Sequence, residues 1–192
     1  MPAVEEISFP CTISNIDAVD LGLSVKWASC NVGATSPEEY GESFAWGETK
    51  SIYINPNCVT YDLDYSELKS RGIIDSKGNL TPAYDAATVN WGDKWRMPSL
   101  DEIKELINEC TWKWTSVNGV NGRLVTGPNG NSIFLPADGS YGYYWSATPY
   151  TRDFYAHRLY FGGGGGWDLD YGYDDDYPDR RLGQVVRPVS DK

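Results

Sequence analysis

With 192 residues the chain is sized for one domain, large enough to bury a core that needs neither a metal nor disulfides. Sixteen Lys and Arg against 27 Asp and Glu leave a formal net charge of -11, and no basic run interrupts it, which argues against a nucleic-acid partner because phosphate neutralisation needs a concentrated basic face. No apolar stretch approaches the ~20 residues that span a bilayer, and Met1-Pro2-Ala3-Val4-Glu5-Glu6 lacks a basic segment followed by an apolar one, so the chain reads as soluble with no visible export signal.

Residues 1–16 are expected to form an arm or edge strand, and residues 17–192 a single domain. Leu21, Leu23, Val25 and Trp27 alternate around Gly22, which predicts two short strands between residues 17 and 32 with these side chains inward. From Gly33 to Thr81 the chain is rich in Gly, Pro, Asn, Ser and Tyr and reads as a long loop region, strand-like only at Ser43 to Gly47. Thr81-Pro82 predicts a helix start, with Thr81 as cap and a helix through Ala83, Ala86, Ala87 and Val89. Ser99 and Glu102 make a capping-box pattern ahead of Ile103, Leu106, Ile107 and Cys110 at helical spacing, which predicts an amphipathic helix over Ser99 to Cys110.

Strands are then expected at Thr111 to Val117, Arg123 to Thr126 and Ser132 to Leu135. Asn118-Gly119, Asn121-Gly122 and Pro128-Asn129-Gly130 separate them as turn signals. Tyr143 to Ser146, Ala156 to Phe161 and Gln184 to Val189 supply the remaining strands. The class is α+β, with two helices early and mostly antiparallel sheet later. Cys11, Cys30, Cys58 and Cys110 lie at wide, irregular spacings beside a single histidine, His157. That supports neither a zinc site nor a redox motif, and leaves buried thiols or one or two disulfides.

Composition changes after the amphipathic helix. There is no Glu after Glu109 and no Lys between Lys113 and Lys192, while nine of the 14 tyrosines fall between Tyr141 and Tyr177. Asp153, Asp168, Asp170, Asp174, Asp175, Asp176 and Asp179 join them, with a glycine run from Gly162 to Gly166. Such Tyr/Asp/Gly/Arg stretches are uncommon in cores and common in paratopes, where Tyr supplies rigid contact area and small residues supply adaptability.

Asp20-Leu21-Gly22-Leu23-Ser24-Val25-Lys26-Trp27-Ala28, Phe44-Ala45-Trp46-Gly47-Glu48, Trp95-Arg96-Met97-Pro98, the run from Gly127 to Pro136, Tyr144-Trp145-Ser146-Ala147-Thr148 and Val186-Arg187-Pro188-Val189 together resemble the Fibrobacter succinogenes major paralogous domain family. The likeness covers nearly the whole chain after residue 17. That family is similar to the C-type-lectin-like fold shared with formylglycine-generating enzyme, and some members look like the variable proteins of diversity-generating retroelements. In such proteins adenine miscopying turns AAC codons into a restricted residue set that excludes Lys, Glu, Gln, Met and Trp. From Tyr150 to Gly183 the first four are absent, and Trp167 would be a scaffold residue.

The resemblance implies that Tyr144-Trp145-Ser146 and Val186-Arg187-Pro188-Val189 are scaffold, with a displayed segment between them inside residues 141–187. The candidate ligand-binding residues are Tyr150, Arg152, Asp153, Tyr155, His157, Arg158, Tyr160, Asp168, Asp170, Tyr171, Tyr173, Asp174, Asp175, Asp176, Tyr177, Asp179 and Arg180. Ala156, Leu159, Phe161, Trp167 and Leu169 are expected to anchor inward. The implied function is a display protein that binds a protein or surface glycan, placed outside the cell, on its surface or on a phage particle. The alternative is a non-diversified adhesin or carbohydrate-binding module of the same fold.

Catalysis is not expected. Formylglycine-generating enzymes depend on cysteines late in the chain, and none follows Cys110; a Ser/His/Asp constellation would have to use His157. No cofactor is expected either. Asp168-x-Asp170-x-Gly172-x-Asp174-x-Asp176 offers alternating carboxylates to Ca²⁺ but lacks the fifth- and twelfth-position ligands of an EF-hand. The sugar-site signatures of calcium-dependent lectins are absent. The Gly162 to Gly166 run has no following Lys-Ser/Thr for a phosphate loop. Asn79-Leu80-Thr81 is an acceptor sequence only in a glycosylating host. Trp27, Trp46, Trp91, Trp95, Trp112, Trp114 and Trp145 are expected in the core rather than on a sugar platform.

Overall fold

The structure is a computed structural model that describes residues 16–151, 154–163, 169–170 and 178–192; the expected arm lies, except for Ile16, outside the described residues. The architecture is α+β, with three α-helices and three small antiparallel sheets among the described residues. Strands β1 (Ala18–Asp20) and β2 (Lys26–Ala28) pair with Val19 opposite Trp27, and Leu21, Leu23, Val25 and Trp27 are all buried as their alternation predicts. The other edge of β2 takes Val189 opposite Trp27.

The segment read as a long loop contains α1 (Tyr65–Ser70). Its cap is a reciprocal box: Glu67 N donates to Asp64 Oδ1 at 2.8 Å and Asp64 N donates to Glu67 Oε2 at 3.1 Å. Only Leu68 of this helix is buried, so its apolar periodicity is too short to stand out. Ser43 to Gly47 is no strand; Phe44 alone makes a bridge, to Gln184. At Thr81-Pro82 the chain makes a 3-10 turn over Pro82–Tyr84 with no side-chain cap. The helix α2 (Ala86–Trp91) starts later, capped by Asp85, whose side chain accepts from Thr88 N. The amphipathic helix appears as α3 (Leu100–Glu109), with Ser99 and Glu102 in the expected box and Ile103 and Leu106 buried.

After α3 come β3 (Thr111–Val117), β4 (Val120–Thr126) and β5 (Ser132–Pro136), an antiparallel meander. Asn118 and Gly119 both take positive φ, 49° and 82°, at its first turn, as a two-residue hairpin requires. Asn121-Gly122, in contrast, is interior to β4: Gly122 pairs with Thr115 on one side and Pro136 on the other. A Cβ at Gly122 would strike the Leu135 carbonyl and the Phe134 ring, so close approach rather than a turn explains this glycine.

The third sheet is β6 (Tyr141–Pro149), β7 (Ala156–Gly162) and β8 (Leu169–Asp170). Gln184 to Val189 does not form the single strand expected: Gln184 and Val185 make isolated bridges, and only β9 (Val189–Ser190) is ladder. The β6–β7 hairpin separates two apolar clusters. Tyr144, Leu159 and Phe161 belong to the cluster with Leu21, Trp27 and Leu106, while Trp145, Ala147 and Ala156 belong to the one with Phe44, Trp46 and Leu68. Both clusters therefore lean on one hairpin. Trp27, Trp46 and Trp145 are fully buried and Trp91, Trp95, Trp112 and Trp114 partly so. Cys30 is disulfide-bonded, and Cys58 and Cys110 are free thiols.

Candidate ligand-binding face

Side chains alternate across a strand, so the inward Tyr144, Leu159 and Phe161 oblige Tyr143, Arg158 and Tyr160 to stand on the other face of the hairpin. Beyond Trp145, where the second cluster ends, Tyr141 on that face is exposed and Tyr143, Arg158 and Tyr160 are half-buried. Tyr143 lies opposite Tyr160, and their rings stack with centroids 5.2 Å apart at 27°. Tyr141, 46 % exposed, stacks on Tyr160 at 5.7 Å and 19°. The Arg158 guanidinium lies 4.6 Å from the Tyr143 ring centre and 5.9 Å from that of Tyr160. Three tyrosines and an arginine thus form a cross-strand ladder on a backbone whose opposite side is core. Beside it, Arg123 donates to the Gly162 carbonyl at 2.7 Å and lies over Trp114.

Of the expected site residues, Arg158 and Tyr160 stand in this ladder. Tyr141 and Tyr143 were absent from the expected set although they are central to it. The signal that finds them is the parity of β6: if Tyr144 is core, Tyr143 and Tyr141 face out. In β8, Asp170 pairs with Tyr160 by backbone register. Arg152, Asp153, Asp168, Tyr171, Tyr173, Asp174, Asp175, Asp176 and Tyr177 lie outside the described residues, as does Trp167.

The other described candidates, Tyr150, Tyr155, His157, Asp179 and Arg180, lie off the ladder. His157 has the inward parity of Leu159; it is half-buried and stacks on Tyr150 at 3.8 Å, away from the ladder face. Its Nδ1 has no hydrogen-bond partner, and burial first, then the Lys104 ammonium on α3, pushes its pKa down to about 4. Arg180 is fully buried. Its Nε donates to Tyr155 O at 2.9 Å, its Nη1 to Thr60 O and Leu63 O at 2.7 and 2.8 Å, and the guanidinium lies 5.0 Å over Trp46. A side chain with those duties is scaffold, clamping the segment after residue 177 onto the 58–63 loop. Ala156, Leu159 and Phe161 are buried as expected of anchors.

Tyr155 and Asp179 meet through a backbone bridge at the far end of the hairpin. There Asp179 grips the Arg181 guanidinium at 2.6 Å, and Arg181 lies 3.9 Å over Tyr61. Phe154 packs on Tyr61 at 4.9 Å with φ of 74°, a backbone region that bulky residues rarely adopt.

A cavity of about 540 Å³ opens where Thr148, near the same turn end of β6, meets the start of α3. Its strongest charges already have partners. Arg96 makes a paired contact with Glu102, at 2.6 and 2.8 Å, and reaches Asp191 at 2.9 Å. Asp85 accepts from Thr88 N and Met97 N, although burial raises its carboxyl above the usual range. Among the described residues no group of three His, Cys, Asp or Glu side chains converges on a metal position, and the Asp168 to Asp176 array lies, apart from the backbone of Asp170, outside them. Compared with protein-family models, curated proteins and solved structures, the chain has no match, so the face must be read on its own chemistry.

Proposed function

We propose that this chain is a ligand-binding display protein on a C-type-lectin-like scaffold of the Fibrobacter succinogenes major paralogous domain type, whose C-terminal face, about residues 150–181, is diversified by adenine-directed mutagenesis. The observation that supports the reading is the ladder in which Arg158 and Tyr160 of that segment stack with Tyr141 and Tyr143 just before it, with Tyr141 exposed and the other three half-buried, on a strand pair whose other side is core. Rigid tyrosines and a stacked arginine are the residue types that dominate contact energy at recognition surfaces. Supporting the scaffold reading, the segments that carry the resemblance contain the buried Trp27, Trp46, Trp145 and Arg187. A side chain on such a face can change without disturbing the core. The partner is a protein or surface glycan met outside the cell, on its surface or from a phage particle, and the reading invokes no catalysis and no cofactor.

Sequencing the DNA around the gene tests diversification: a near-copy of the codons for residues 141–187 beside a reverse transcriptase, differing only at template adenines, is the expected result. Without such a copy the face is fixed, and an adhesin or carbohydrate-binding module becomes the reading. Substituting Tyr141 and Tyr160 together by Ser tests the site. Partner binding should fall at least a hundredfold while Tm changes by no more than about 3 °C, the scale of a surface substitution. A fall of 10 °C or more would make the ladder core and overturn the site.

A further inference from the structure

The two outer edges of the meander differ. Val117 and Val120 close the two-residue turn as a hydrogen-bonded pair, so Thr111, Lys113, Thr115 and Val117 use their N–H and C=O groups on β4. The N–H and C=O groups of Trp112, Trp114 and Ser116 therefore point off the sheet. The same alternation continues across β4, where Asn121 O accepts from Ala137 N at 2.8 Å on the β5 side. On β5 the outward carbonyls are covered by buried donors: Arg187 Nη2 reaches Phe134 O at 2.8 Å and the Tyr144 hydroxyl reaches Pro136 O at 2.6 Å. On β3, among the described residues, nothing bonds to the backbone of Trp112, Trp114 or Ser116.

An unpaired edge of seven residues is a template for another strand, and natural sheets blunt such edges with charges, proline or bulges. β3 has no proline, an unbroken register and one charge, Lys113. The occupant it fits is its own copy. A two-fold axis through Trp114 pairs the whole strand antiparallel: Trp114 faces Trp114, Trp112 faces Ser116 and Thr111 faces Val117. Lys113 then stands opposite Thr115 of the second copy. An axis at Lys113 would instead set lysine against lysine, and one at Thr115 would run Thr111 and Trp112 past the end of the opposing strand.

We infer that β3 is a dimer edge, joining the three-stranded meanders of two copies into one continuous antiparallel sheet. Phe161, on the inner face of the β6–β7 hairpin, packs on Trp112 at 6.1 Å, so the ladder lies on the side of the hairpin away from this sheet. A two-fold axis normal to the sheet keeps both ladders on one side, and the dimer is bivalent. That consequence, unlike the pairing itself, rests on the ladder being the ligand face. A single strand pair is a small interface and the net charge of -11 on each copy opposes it, so the dimer dissociates in the micromolar range and tightens as salt screens the repulsion.

Sedimentation velocity of the full chain from about 1 µM to about 0.5 mM tests this, and a monomer–dimer equilibrium that tightens from low to moderate salt is expected. Thr115→Glu sets a carboxylate against Lys113 of the second copy and should tighten the dimer at least threefold, whereas Thr115→Lys should weaken it at least tenfold; net-charge repulsion alone predicts the reverse order. Ser116→Pro removes an outward N–H without touching the β4 ladder and should weaken the dimer at least tenfold with far-UV circular dichroism unchanged. It carries the test should a Thr115 variant fail to fold. Tyr141→Ser with Tyr160→Ser should leave association unchanged, so failure of the ligand face and failure of the edge are read separately. A chain that stays monomeric throughout, a dimer indifferent to Ser116→Pro, or Thr115 variants that shift it in the same direction overturns the inference.

Discussion

Arg187 ties β2, β5 and the loop at Asn31 together through neutral acceptors. Fully buried, it donates from Nε to Asn31 Oδ1 at 2.7 Å, from Nη1 to Ala28 O at 3.0 Å and from Nη2 to Phe134 O at 2.8 Å. Burial pushes its pKa down to about 10, a sign that dipoles and not a carboxylate carry the charge. Arg187→Met removes a donor from all three acceptors at once and should cost on the order of 3 kcal/mol, read as a lower urea midpoint at unchanged slope. His157 gives the acid behaviour a sign. The unfolded chain takes up its proton near the ordinary 6.5 and the folded chain only near 4, so the unfolded state binds more protons between those values. Stability should therefore fall as pH drops from about 7 towards 4, by on the order of 1–2 kcal/mol after allowing for the ring's partial exposure. His157→Phe, which keeps the stack on Tyr150, should flatten that limb in Tm measured against pH; an unchanged slope would mean that the acid loss comes from other groups.

At the scale of elements, the β6–β7 hairpin depends on one missing side chain. Gly142 pairs with Phe161, and a Cβ there would meet the Phe161 ring, which is itself in the first cluster and stacks on Tyr144. Gly142→Ala must displace the ring or shift the strand, and the expected loss is about 1–3 kcal/mol by thermal denaturation. Because Tyr141 and Tyr143 flank this glycine, the variant should also disturb the ladder and weaken ligand binding, unlike the reversible loss of a single exposed ring. Helix ends were legible where the pattern was strong and misplaced where tertiary contacts intervened. Ser99 and Glu102 cap α3 as read, but Asp85 displaced Thr81 as the cap of α2 because its second oxygen is also claimed by Met97 N. Asn121-Gly122 looks like a turn in sequence because a glycine required by packing and one required by positive φ carry the same letter.

For the whole molecule, the decisive feature is that both apolar clusters use the same hairpin: Tyr144 serves one and Trp145 the other, and Val185 and Val186 divide in the same way. Neither cluster keeps its full lining without the other's strand, so the domain should unfold in one transition. Coincident midpoints by tryptophan fluorescence and far-UV circular dichroism are expected; two separated transitions would mean that the clusters are independent. The α+β class, the first hairpin, α3 and the meander strands followed from periodicity and turn chemistry, which are local and therefore written in neighbouring residues, while the anchors Ala156, Leu159 and Phe161 came with the family resemblance. The tyrosine-rich segment was equally visible as composition. What only the tertiary structure decided was how those residues are placed: Tyr141 and Tyr143 join Arg158 and Tyr160, His157 turns inward, and Arg180 is buried over the Trp46 ring. For Arg180 the chain-distant partners Thr60, Leu63 and Trp46 set the position, and no local pattern encodes a contact made across more than a hundred residues.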